Sequence, residues 1–363
     1  MTAREKEILD LIKQNPQISQ QELAERLGIT RSSAAVHITN LMKKGYILGK
    51  GYLLKAQDYA AVIGGANMDI HGFPKDVLLP KDSNPGNIKT SPGGVGRNIA
   101  ENLSKLGVAV KLLTALGEDI HGKQLLEECI HSGIDMDHCY FSKDLPTSTY
   151  LCILDHKGDM SAAIADMEIQ ERISIEYIRE KAHIIDHASL IILDTNLPED
   201  TLTYLLQHFQ NSTFFLDPVS TAKAEKVRDR IGLFHTIKPN RLEAEVLSGI
   251  SIHSEADLKT AANYFFSQGV KRVFITLGEE GVYYGDSSKQ DFLRCPKVSS
   301  ANATGAGDAF AAALAYCHLQ QMSLEDTARF AAAAALVALS HKNTIHPLMS
   351  IDTIQNKQRE LNL

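Results

Sequence analysis

The sequence predicts an α/β protein, a parallel sheet with helices on both faces that carries a small β excursion and follows a short helix-turn-helix head. Three observations carry that prediction. From residue 58 onward, apolar strand-like runs ending in Asp or Asn alternate with stretches of helical periodicity, the pattern of strand, crossover helix and parallel strand. Residues 1–57 read instead as three short helices and a Gly-containing turn. The charge divides at the same place. Residues 1–57 hold 9 Lys+Arg and 5 Asp+Glu, net +4, while the remainder holds 28 and 39, net −11. A basic head on an acidic body points to two jobs.

Composition sets the outer limits. A chain of 363 residues, 44% hydrophobic and 22% charged, is ordinary globular material, long enough for one large domain and one small one. It has no run of about 18 apolar residues, and its start, Met-Thr-Ala-Arg-Glu-Lys, is unlike a secretory or transit peptide. A cytoplasmic protein without a membrane partner is expected. Cys129, Cys139, Cys152, Cys295 and Cys317 form no CxxC pair and are odd in number, which argues against a disulfide framework or a zinc site.

In the head, Ile8, Leu9, Leu11 and Ile12 fall at helical spacing over residues 3–14, and Asn15-Pro16 stops that helix. Ser19 with Glu22 has capping-box spacing before a helix from Gln20 to Leu27, ended by Gly28. A third helix, Arg31 to Lys44, is expected to turn Ala35, Ile38, Leu41 and Met42 inward. This is the helix-turn-helix plan. The stretch around Gly49-Lys50-Gly51 reads as two short strands, a wing, so the segment resembles winged helix-turn-helix regulators. DNA-contacting residues would be Arg31, Ser32, Ser33, His37 and Lys50, and a working DNA binder of this size would be a homodimer.

In the body, Tyr59 to Gly65 is an apolar strand entering a Gly-Gly turn, after which Asn67 and Asp69 point the same way. An Asp at the end of a first parallel strand is placed to accept two sugar hydroxyls. Residues 73–92, broken by four prolines, read as strands and loops of a lid spanning about 70–92, with a second piece, a hairpin turning at Lys157-Gly158, at 147–165. Gly93 and Gly94 enter an amphipathic helix holding Asn98, with Ala100, Leu103 and Leu106 inward. The spacing does not match a dinucleotide fingerprint.

A strand at 109–115 and a helix at 121–131 follow. Leu190 to Asn196 is a buried strand ending in Asp194 and Asn196, and Phe214 to Asp217 repeats the form. Asn240 with Glu243 has the spacing of an N-cap and its N3 partner, worth about 1 kcal/mol. It is also a place for the triphosphate and its magnesium, which prefers oxygen ligands. Val273 to Tyr284 is a further strand, with Thr276 and Gly278 at its end. His183 and His187 stand four apart without a third ligand, a solvated helix face.

The densest signal is Thr304-Gly305-Ala306-Gly307-Asp308, a small-residue loop entering an Ala-rich helix. Its free N–H groups suit a phosphate or a developing oxyanion, and Asp308 is placed to take a proton from an attacking hydroxyl. The Ala-rich segment 328–341 would pack beside it.

Gly93-Gly94 with Asn98, Asn240-x-x-Glu243 and Thr304-Gly-Ala-Gly-Asp308, in this order over residues 58–350, resemble the ribokinase-like (PfkB) carbohydrate and nucleoside kinases. Ser83-Asn-Pro-Gly, Pro92-Gly-Gly-Val-Gly-Arg-Asn-Ile-Ala and Lys238-Pro-Asn-Arg-Leu-Glu-Ala-Glu are similar to the pseudouridine kinase branch. The resemblance implies a three-layer α/β sandwich with a small β lid, ATP, Mg2+ and an acceptor 5′-hydroxyl. It implies substrate contacts from Asp69, Gly94 and Asn98, to which the reading of strand ends and turns adds Asn67, Gly93, Asp194 and Asn196, with Thr149 and Tyr150 of the lid expected at the base. ATP would meet Asn240, Thr276, Gly278, Gly281 and Thr304, Glu243 would serve the metal, and Gly305, Ala306 and Gly307 would form the anion hole around the base Asp308. Many relatives carry Asp where this chain has Asn302, at a potassium site, so activation by K+ stays open. Two alternatives remain: a kinase for another nucleoside or sugar, and a ligand-sensing transcription regulator built on a kinase body.

Overall fold

The computed structural model describes residues 1–16, 18–47, 58–155, 159–296 and 304–363. The expected wing with Lys50, the Lys157-Gly158 turn and Asn302 lie outside the described residues. By internal contacts the chain forms two compact units, Met1–Gln57 and Asp58–Leu363.

The first unit holds α1 (Ala3–Gln14), α2 (Gln20–Leu27) and α3 (Arg31–Lys43). Thr2, Ser19 and Thr30 cap them, each accepting from the N–H three residues on, and Gly28 closes α2 at φ 62°. Ile8, Ile12, Leu23, Ile38 and Leu41 make a small core. The inward face of α3 is Ala34, Ile38 and Leu41, whereas Ala35 is half-buried and Met42 exposed. The expectation for Ala35 and Met42 was one position out of phase, because 34, 38 and 41 keep the i, i+4, i+7 stripe.

The second unit begins with β1 (Ala60–Ile63), β2 (Asn67–Pro74), β3 (Gly86–Gly93), α4 (Val95–Lys105), β4 (Val110–Leu113), β5 (Ala115–Gly117) and α5 (Ile120–His131). The segment expected as one strand at 109–115 is thus two. Next come β6 (Ile134–Asp135), β7 (Tyr140–Ser142), β8 (Thr149–Leu154), β9 (Met160–Asp166), α6 (Ile175–Glu180), α7 (Ala182–Asp186), β10 (Leu190–Asp194), α8 (Glu199–His208) and β11 (Phe214–Asp217). The chain continues through α9 (Thr221–Ala224), β12 (Thr236–Ile237), α10 (Arg241–Ser248), α11 (Glu255–Gln268), β13 (Arg272–Thr276), β14 (Val282–Gly285) and β15 (Gln290–Leu293), and ends in α12 (Ala306–Leu319), α13 (Leu324–Leu339) and α14 (Ile351–Leu361).

Nine strands form the main sheet in the order β15-β14-β13-β12-β11-β10-β1-β4-β6, parallel except where β14 joins β13 and β15. Alternate residues of β1 go to opposite sides. Ala60 and Val62 pack with α4, α12 and α13, while Ala61 and Ile63 pack with α8, α10 and α11, which makes three layers and explains the unbroken apolar strand runs. The Ala-rich α12 and α13 lie side by side because small side chains let helices approach closely. A second sheet, β3-β2-β8-β9, stands apart from the first. No helix among the described residues is long and apolar enough to cross a membrane.

Candidate active site

The site gathers at the carboxyl ends of β1, β10, β11 and β12, where ligands of open α/β sheets bind. β1 ends in Gly64-Gly65, and a Cβ on Gly64 would fall 2.4 Å from Asp194 Oδ2. Asp194 Oδ2 accepts from the Gly65 N–H at 2.8 Å and the Gly96 N–H at 2.7 Å, and Oδ1 accepts from the Asn196 N–H at 2.8 Å. Asp194 is therefore a buried tie between β10, the β1 turn and α4, with no carboxylate edge for a substrate as the sequence reading expected. Asn196 is engaged too, its Oδ1 accepting from Lys223 Nζ at 2.5 Å.

Asn67 Nδ2 donates to Asp69 Oδ1 at 2.6 Å. Gly93 pairs with Asn67 across β2 and β3, and a Cβ there would fall 2.3 Å from Asp69 Oδ2. Burial raises the Asp69 pKa and the Asn67 bond opposes it. Asp69 pairs with Ser91 and Tyr150, so those side chains share its face. Thr149 pairs with Met68 and lies on the opposite face, its hydroxyl donating to Thr147 O at 3.2 Å. Strand alternation removes Thr149 from Asp69 and leaves Tyr150 beside it.

Gly94 takes φ 98° at the start of α4, where a Cβ would strike Gly65 O at 2.4 Å. One turn on, Asn98 Nδ2 donates to Asp308 Oδ2 at 2.8 Å. Asp308 is the third residue of α12. Its N-cap, Gly305, has φ 86° and passes so near Thr344 that a Cβ would lie 2.1 Å from Thr344 O. Gly305 has no side chain to cap its helix, so the first-turn N–H groups at Ala306, Gly307 and Asp308 are open to an anion. Burial, and then the charge of Asp217, push Asp308 up to about 7, against the Asn98 bond and the Lys238 charge. A carboxyl titrating there is matched to taking a proton near neutrality.

Lys238 and Asp217 also belong to the site, although the sequence reading gave neither a role. Lys238 Nζ lies 3.1 Å from Asp217 Oδ2, and a Cβ on Gly307 would come within 3.2 Å of it. Burial works against the Lys238 charge, but Asp217, Glu243 and Asp308 outweigh it and raise its pKa. A fully charged ammonium thus stands over the first turn of α12. The available signal was position: Lys238 follows β12 and directly precedes Pro239-Asn240.

Asn240 and Glu243 complete a reciprocal cap of α10, Asn240 Oδ1 accepting at 2.9 Å and Glu243 Oε2 at 2.8 Å. Asn240 also bridges to Thr276 at the end of β13, which brings two of the nucleotide candidates together. Gly278 has φ 61° and open space around its Cβ position, whereas a Cβ on Gly281 would lie 2.0 Å from Leu293 O. Gly281 serves the approach of β15. Thr304 is exposed, directly before Gly305. Among the described residues no group of three His, Cys, Asp or Glu is placed to hold a metal ion.

In the head, Arg31, Ser32, Val36, Thr39 and Lys43 form the exposed stripe of α3, and Ser33 and His37 are half-buried beside it.

The profile of the pfkB family carbohydrate kinases matches residues 57–351, more than half of the chain. The chain belongs to the pfkB carbohydrate kinase family. It is a sugar or nucleoside kinase with the ribokinase-like fold, and residues 1–47 match the winged helix-turn-helix DNA-binding family. The pseudouridine kinase of Escherichia coli (strain K12) is 42% identical over 302 residues, 83% of this chain and 96% of that one. The uncharacterized sugar kinase YeiI of the same organism is 39% identical over 354 residues, 97% of this chain and 98% of that one. A crystal structure of a Clostridium perfringens protein superposes with a TM-score of 0.77 at 40% identity, covering 84% of this chain and 96% of that one.

Proposed function

We propose that this kinase transfers the γ-phosphoryl group of ATP to the 5′-hydroxyl of a nucleoside, and that the nucleoside is pseudouridine. One observation carries the reading: Asp308, poised near neutrality, sits in the open first turn of α12 within hydrogen-bond reach of Asn98. Asp69 and Asn98 hold the ribosyl part. Asp308 takes the hydroxyl proton as the oxygen forms its bond to the γ-phosphorus and the bond to the β,γ-bridging oxygen breaks, releasing ADP. The amides of Ala306, Gly307 and Asp308, with Lys238, balance the charge on the group in transit. Asn240, Thr276, Gly278 and Thr304 flank the nucleotide. Glu243 is a buried carboxylate close enough to Lys238 to raise its pKa, the oxygen chemistry a hard cation prefers, and a divalent cation there would be held mainly by phosphate and water. Glu243 would be the side chain that serves Mg2+, and the ion would supply charge neutralisation on the phosphates.

The pseudouridine assignment rests on 42% identity across nearly the whole of a pseudouridine kinase. Another nucleoside or a free sugar is the second reading, favoured by 39% identity to a chain named a sugar kinase. The head binds DNA through α3 in a homodimeric cytoplasmic protein. The exposed apolar Ile88, Ile153 and Ile164, on one face of the second sheet, favour pairing of two copies.

The test is ATP consumption against a panel of nucleosides and sugars, pseudouridine included, with Asp308→Asn as control. Turnover of pseudouridine that vanishes in the variant supports the proposal. Preference for another acceptor moves the substrate assignment, and binding of ligands without turnover favours a sensor-regulator.

A further inference from the structure

An amide has two different ends, and only one of them suits an ionised base. Asn98 presents its NH2 to Asp308 Oδ2 at 2.8 Å, and its Oδ1 accepts from Arg97 Nη1 at 3.1 Å. Arg97 is 4% exposed. Its Nη2 donates to the Glu101 carboxylate, also buried, and Nη1 reaches Pro92 O at 3.5 Å, on the strand leading to Gly93. Lys105 Nζ stands 3.8 Å from the other Glu101 oxygen, and Asn102 Nδ2 donates to Asn98 O at 2.9 Å. We propose that Arg97 is a positioning residue for the base: its guanidinium holds the Asn98 amide with the NH2 end toward Asp308, and Glu101 holds the guanidinium. The proposal rests on reading Asp308 as the base.

The argument is one of donors and acceptors. A guanidinium only donates, so it admits only the carbonyl end of the Asn98 amide. An ionised carboxylate only accepts, so it needs the NH2 end. Without Arg97 the amide is free to turn, and its carbonyl would then accept from protonated Asp308, stabilising the form that cannot take a proton. The other charged groups around Asp308 are Asp217 and Asp194, which oppose its ionisation, and Lys238, which favours it; none of them contacts Asn98 Oδ1 in the hydrogen bonds described. A buried Arg–Glu pair is a poor device for stability alone, and among the described residues Arg97 Nε has no hydrogen-bond partner.

The test uses the full chain, labelled with ¹³C at the Asp side-chain carboxyls, with the Asp308 signal assigned by its loss in Asp308→Asn. The double variant Arg97→Met with Glu101→Met removes the pair without stranding a charge, and Arg97→Lys keeps a charge but not the forked contact. In both, the Asp308 midpoint rises by on the order of one unit above the wild-type value, as it does in Asn98→Ala, and combining Asn98→Ala with the double variant adds nothing further. With ATP, Mg2+ and the nucleoside turned over in the panel, the acid limb of kcat moves the same way. An unmoved midpoint in either folded variant, or a shift that adds to that of Asn98→Ala, overturns the relay. Undiminished activity of Asp308→Asn would instead sink the base reading, independently of Arg97.

Discussion

Asn98 and Asp308, 210 residues apart in the chain, are joined by a hydrogen bond of 2.8 Å. It ties the helix after the Gly93-Gly94 turn to the helix after Gly305. Replacing Asp308 by Asn keeps an acceptor for that bond and removes the proposed base. Phosphoryl transfer should fall by about 10²- to 10⁴-fold, measured as ADP release.

The same variant should be more stable than the wild type above neutral pH. Asp308 moves from the ordinary carboxyl value of 3.8 to about 7 in the folded chain, so between these values the folded state binds the extra proton. Stability contributed by this group is fully present below the lower value, declines as pH rises through the window, and is flat beyond the upper one. An amide does not titrate. Thermal unfolding of wild type and Asp308→Asn at acid and alkaline pH checks this: the gap should open as pH rises.

Lys238→Met leaves Asp217, Glu243 and Asp308 without their shared cation. Turnover should fall by roughly 10²- to 10³-fold, the scale of losing one preorganised charge-stabilising donor, with the acid limb of the pH profile displaced upward because Lys238 favours ionised Asp308. Lys238→Arg should not restore it, since Nζ already lies 3.2 Å from the Gly307 Cβ position. Steady-state kinetics with ATP varied would show both.

Gly93→Ala puts a methyl group 2.3 Å from the Asp69 carboxylate. Asp69 must swing away, so KM for the nucleoside should rise tenfold or more, about 1.4 kcal/mol of lost binding, while KM for ATP changes little. Equal loss of both would mean that the damage is to the fold.

In the head, Arg31→Ala should weaken DNA binding across all sequences and flatten its salt dependence. Val36→Ser should change which sequences are selected, since Val36 is 59% exposed in the centre of the outward stripe of α3. Selection from a random DNA library with the full chain, repeated at two salt concentrations, separates the two effects.

The sequence by itself determined the layered α/β body, its basic head, and the loops that carry Asp69, Asn98, Asn240 and Asp308. Those features are local: apolar strands ending in polar residues, glycines at turns, capping pairs and a small-residue helix start are written in consecutive residues. Only the tertiary structure decided what each polar group faces. It turned Asp194 inward onto three backbone amides, because the Gly64-Gly65 turn and α4 close over the end of β10. It put Thr149 on the far face of its strand, because pairing with β2 sets the register. It brought Lys238 over Gly307 and Arg97 against Asn98, contacts that depend on how β12, α4 and α12 pack. Direction, burial and charge balance arise between segments far apart in the chain, and no spacing along it records them.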